Sequence, residues 1–159
     1  MNNIASIKII KTELAGLTNK ELIELITTLL RFKKDNKELL TYLLFDSKDE
    51  TGYVNNVKAV MESEMEIVNR YKVRQSLKTI RKALRNTRKA IKISGKTETE
   101  VQLLLHFLTI LKNKNLPFYR FKALTLIYER VINNIKKAIG ELHEDLRYDY
   151  GVELERIIE

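Results

Sequence analysis

The chain has 159 residues, 44 % of them hydrophobic and 31 % charged, with 29 Lys and Arg against 21 Asp and Glu for a formal net charge of +8. That length supports one compact domain with a sizeable core. Five glycines, one proline and no cysteine exclude collagen-like, low-complexity and disulfide-stapled architectures, and breakers so rare point to a mostly helical chain.

The first apolar run holds Lys8 and Lys11 and does not read as a secretory leader. Elsewhere the longest apolar stretch, Leu103 to Leu111, is interrupted by His106 and Thr109 and falls well short of the ~20 residues a membrane span needs. Lacking cysteine as well, the chain is expected in a reducing cytoplasm, with no transmembrane segment.

Ile4, Ile7, Ile10 and Leu14 step at the helical period, and Gly16 is placed to end that helix. Thr18 and Glu21 have capping-box spacing, which starts a second helix near Asn19 with a stripe of Leu22, Ile23, Ile26, Leu29 and Leu30. A short third helix carries Leu39, Leu40, Tyr42, Leu43 and Leu44. Ser47 and Glu50 repeat the capping-box spacing ahead of Val54, Val57, Val60, Met61, Met65 and Val68, and the phase then slips, predicting a bend at residues 69–72. A fifth helix runs from about Val73 to Ile93, with Val73, Leu77, Ile80, Leu84 and Ile91 on one narrow arc and Gly95 as its stop. Thr97 and Glu100 form a third capping-box pattern before Val101, Leu104, Leu105, Leu108 and Leu111. After Pro117 a long stripe continues from Phe118 through Val131, Ile135 and Leu142 to Leu146, and Gly151 precedes a last short helix from Val152 to Ile158.

No segment alternates like a half-buried strand, and the connections are short. The expected fold is all-α: a single domain, residues 1–159, of six to seven helices in an antiparallel bundle or an irregular stack of helical hairpins.

The charge is concentrated. Residues 70–96 hold eleven basic side chains and no acidic one, so the rest of the chain is slightly acidic. At the helical period Arg70, Arg74, Lys78, Arg81, Lys82, Arg85, Arg88, Lys89 and Lys92 share a sector of roughly 120° beside the apolar arc. Such a sector brings like charges together at i,i+4, at a few tenths of a kcal/mol per pair in an isolated helix. Internal compensation has candidates: Glu62, Glu64 and Glu66 precede the helix, and an acidic C-terminal segment, 141–159, holds Glu141, Glu144, Asp145, Asp149, Glu153, Glu155 and Glu159. An external partner is the alternative. The face suits an acidic protein surface, a second copy of the chain through its acidic segment, or a nucleic-acid backbone, bound without base readout because Tyr71 is the only aromatic residue nearby. An anionic membrane surface ranks below these, since the apolar arc is narrow and lacks Trp and Phe.

No catalytic, cofactor or metal signature stands out. A di-iron bundle needs Glu three residues before His, where Leu103 and Gly140 stand, and the zinc-protease motif and a glycine-rich phosphate loop are missing. His106, in an apolar run, reads as a core or boundary residue, and Asp46, Asp49 and Glu50 read better as helix-start residues than as ligands. Were the chain an enzyme, His143, Asp145 and Asp149 would be the first residues to consider.

The pattern of residues 17–22 (Leu-Thr-Asn-Lys-Glu-Leu), with Phe32 to Phe45 downstream, Ile80 to Ile93, and residues 99–105 (Thr-Glu-Val-Gln-Leu-Leu-Leu), resembles an uncharacterised family of small all-helical bacterial proteins. The resemblance implies an all-α cytoplasmic protein and carries no catalytic residue. From the residues, the expected role is a non-enzymatic interaction module using the basic face of residues 70–92.

Overall fold

The structure, a computed structural model, describes residues 4–159. Among these the chain is all-α, with eight α-helices instead of six or seven: α1 (Ile7–Ala15), α2 (Asn19–Phe32), α3 (Lys34–Leu44), α4 (Glu50–Met65), α5 (Val73–Ser94), α6 (Thr97–Asn113), α7 (Lys122–Gly140) and α8 (Glu144–Ile158). No helix among the described residues is long and apolar enough to cross a membrane. The chain divides into two compact units, one ending at Leu44 and the other Phe45–Glu159.

In the first unit, α2 starts on the capping box its spacing predicts. Glu21 N donates to the Thr18 hydroxyl at 3.4 Å while Thr18 N donates to the Glu21 carboxylate at 2.8 Å. The Thr18 N–H, joined by the Thr18 hydroxyl donating at 2.7 Å, holds the Glu21 carboxyl below its ordinary range. The Asn36 side chain donates to Leu29 O at 2.7 Å where α2 gives way to α3. The apolar stripes are less buried than their periodicity predicts: Ile7, Ile10, Ile23, Ile26, Leu29 and Phe32 are all exposed, and Tyr42 is the one buried residue among those described in this unit. Helical period establishes that a stripe exists. Its burial requires a second surface of matching shape.

The second unit is organised around α6, against which α4, α5, α7 and α8 all pack. Val101, Leu103, Leu104, Leu105, Phe107, Leu108 and Leu111 are buried on it. A helix apolar on nearly every side is stable only inside a ring of partners. Met61 and Met65 of α4, Ile80 and Leu84 of α5, Val131 and Ile135 of α7, and Leu154 and Ile157 of α8 complete one continuous core.

Several boundaries depart from the sequence patterns. Helix α4 is capped by Asp49, whose carboxylate accepts from Gly52 N at 2.9 Å, while Ser47 lies in a 3-10 turn, Asp46–Lys48. Glu50 instead accepts from the Ser94 and Thr99 hydroxyls at 2.6 Å each and pairs with Lys96 at 2.8 Å. That carboxylate ties the start of α4 to the α5–α6 turn, and α6 begins without a side-chain cap. The bend at 69–72 is present and extends back to Glu66. After Pro117 a 3-10 turn, Phe118–Arg120, delays α7 to Lys122. Helix α7 stops at Gly140, Leu142 is buried in the connection, and α8 starts at Glu144, well before the expected Val152, with Gly151 inside it.

Candidate functional site

Helix α5 is built to present one face. Val73, Ser76, Ile80, Ala83, Leu84 and Thr87 are buried against α4 and α6. Ser76 Oγ accepts from Asn69 N and donates to Asn69 O, both at 2.9 Å, which closes the preceding turn onto the first turn of the helix. The far end stops at Gly95, in the left-handed region at φ 67°, whose N–H reaches Ile91 O at 2.8 Å. Lys92 lies in the last turn, where a cation suits the helix dipole; Arg74 lies in the first, where it does not.

The nine basic residues fall where their spacing predicts, Arg70 in the turn before α5 and the other eight along it. All are exposed except the half-buried Lys89. Lys82 pairs with Glu64 of α4 at 3.3 Å, and the same carboxylate accepts from Asn86 at 2.8 Å. The Arg70 guanidinium lies 5.6 Å over the Tyr71 ring. Arg74, Lys78, Arg81, Arg85, Arg88 and Lys92 make no ion pair among the described residues. Arg88 is near enough to half-buried Glu100 to favour its ionised form. Burial and the neighbouring Glu141 outweigh that help and that of Lys137, and push the Glu100 carboxyl above its ordinary range.

The acidic C-terminal segment does not pair with this face. Helix α8 packs on α6 and α7, while α5 packs on α4 and α6, and no carboxylate of residues 141–159 forms an ion pair with α5 among the described residues. Of the α4 carboxylates, Glu62 is turned to His106. Glu64 is the α4 carboxylate that reaches the face, at its Lys82 edge.

No family model, curated protein or solved structure matches this chain.

His143 is the exposed residue before α8, 3.4 Å from Asp145, itself exposed. Asp149 lines a separate open groove with Tyr148, Val152, Glu153 and Arg156. The three residues do not converge on one enclosed site. Among the described residues no three His, Asp or Glu side chains are grouped to hold a metal ion.

One polar feature escaped the sequence patterns. Glu98, Gln102, His106 and Thr109 recur at helical spacing along α6, and the last three face an open groove of about 450 Å³, whose lining includes Lys58 of α4 and Tyr150 and Glu153 of α8. The Tyr150 hydroxyl donates to Glu98 at 2.8 Å and accepts from Gln102 at 2.7 Å. Burial, abetted by the Glu98 and Glu153 charges, pushes this phenol up to about 12. Glu62 Oε1 lies 2.9 Å from His106 Nε2, a carboxylate beside the imidazole. Burial pulls the imidazole below its usual range, against the pull of Glu62. The signal for this groove is a polar residue every three or four positions in a helix otherwise rich in Leu, Ile, Val and Phe.

Proposed function

We propose that this chain is a non-catalytic interaction module whose working surface is the basic face of α5, where it engages an acidic macromolecular partner. The observation that supports this reading is that Arg74, Lys78, Arg81, Arg85, Arg88 and Lys92 are exposed and form no ion pair among the described residues, on a helix whose opposite side is fixed in the core. Clustered like charge costs stability in the free protein and is relieved when an anion is bound. Two kinds of partner match the charge: an acidic protein surface, including α8 of a second copy, and the backbone of a nucleic acid.

The test separates this face from net charge. Replacing Arg81, Arg85 and Arg88 by Glu is expected to lower the salt needed to elute the protein from immobilised heparin. Replacing Lys122, Arg130 and Lys136, exposed on α7, by Glu changes the net charge equally and is expected to alter elution far less. Equal losses from the two sets would show a diffuse attraction and defeat the proposal.

A further inference from the structure

We propose that the partner of the α5 face is the sugar-phosphate backbone of duplex nucleic acid, held without base readout. This rests on the reading of α5 as a docking face and names what docks there.

The face lacks what a protein partner needs at its centre. Stable protein interfaces gather aromatic and apolar anchors in a desolvated core, with charges at the rim. Among the described residues none of the exposed large hydrophobics lies on α5; Val60 stands on α4, and Ile67 and Tyr71 in the turn before α5. What the face offers is an unbroken row of guanidinium and ammonium groups. Arg74, Arg81, Arg85 and Arg88 supply planar forks suited to phosphate oxygens, and Lys78 and Lys92 supply point charges between and beyond them.

Length and sign fit the same partner. Arg74 to Lys92 covers about 27 Å at 1.5 Å per residue, comparable to the ~34 Å of one duplex turn. A phosphate backbone presents negative charge without interruption over that distance. The acidic helix of a second copy does not, because Arg147 and Arg156 interrupt the carboxylates of α8. Those carboxylates would repel a nucleic acid, and they belong to a helix that packs on α6 and α7, whereas α5 is held by α4 and α6.

Single strands fit less well. Sequence-tolerant binding to them relies on aromatic rings on which bases stack. The face has none, and the adjacent Tyr71 ring already carries the Arg70 guanidinium.

The experiment is fluorescence anisotropy with the full chain and a labelled mixed-sequence 20-bp duplex, titrated from 50 to 200 mM salt. Five phosphate contacts give a log–log slope of about −4.5, which weakens affinity about 500-fold over that range. Affinity is expected to be equal for a scrambled duplex and weaker for oligo-dT. Arg81→Gln, Arg85→Gln and Arg88→Gln together are expected to flatten the slope by about 2.7, at ~0.9 for each phosphate no longer neutralised, with the helical circular dichroism retained. An unchanged slope in that variant, or tighter binding to oligo-dT, would overturn the proposal. Binding to poly-glutamate, or self-association in sedimentation, without binding to duplex would overturn it while leaving the docking face in place. Failure to bind any of these polyanions would remove both readings.

Discussion

Reversing one charge in the middle of α5 is expected to make the free protein more stable. Arg85 is exposed, with Arg81 and Lys89 one helical turn away on either side. In the native helix both i,i+4 neighbours repel it, at roughly 0.3 kcal/mol each, and in Arg85→Glu both attract by a similar amount. Two pairs, each changed by about 0.6 kcal/mol, give about 1 kcal/mol of stabilisation. In a chain of 159 residues that is a rise in Tm of about 2–4 °C. The measurement is thermal unfolding by circular dichroism at low ionic strength, repeated at high salt, where the gain should shrink as the exposed charges are screened. The alternative, in which carboxylates of the same chain cover the face, has the opposite sign: a new glutamate would be set against them and Tm would fall. A lower Tm for Arg85→Glu at low salt would therefore refute the reading of this face as uncovered, whatever partner was assigned to it.

Glu100 offers a test of charge balance where α6 begins. Its folded-state pKa is raised, so the folded protein binds a proton more readily than the unfolded chain, and stability falls as pH rises through that raised value. Glu100→Gln is expected to unfold at higher urea than the parent at pH 7, with the gap closing as pH drops below about 4, where both states of the parent hold the proton. Gly95→Ala tests the stop of α5. With φ at 67° and no atom within 4 Å of the point where the new methyl would stand, the cost is conformational rather than steric, about 1–2 kcal/mol. Gly95→Asn is expected to cost less than Gly95→Ala in the same unfolding measurement, since asparagine tolerates the left-handed region.

The parts of the fold that were legible in the sequence are those decided within a few residues. The Thr18 capping box, the Gly95 stop and the basic sector of α5 depend on spacing along one helix, and spacing is written in the chain. The parts that were not legible depend on competition between distant groups. Glu50 has the spacing to cap with Ser47, yet Ser94, Thr99 and Lys96 draw its carboxylate to the α5–α6 turn, and Asp49 caps α4 instead. The break between α7 and α8 was hidden because Ile139, Leu142 and Leu146 keep a helical step across it. Leu142 is buried from a connection, so burial preserved the pattern while the backbone left the helix. The α6 groove was invisible for a related reason: Gln102 and Tyr150 meet through tertiary packing, and only the polar interruptions of an apolar helix hinted at it. The stripe of α1 and α2 misled in the other direction, since amphipathic spacing carries no information about whether a partner surface is present.

That exposed stripe sets the order in which the molecule opens. A backbone amide exchanges with solvent at the free energy of the smallest opening that frees it, and that energy follows the apolar surface which the opening uncovers. With Tyr42 as the one buried side chain among those described in the first unit, opening α1, α2 or α3 uncovers little, and their amides should exchange through brief local fraying. The amides of α6, enclosed by four helices, should exchange only when the whole second unit unfolds. In a time course of deuterium uptake the chain then separates into an early N-terminal part and a late remainder, and Leu44 marks the seam.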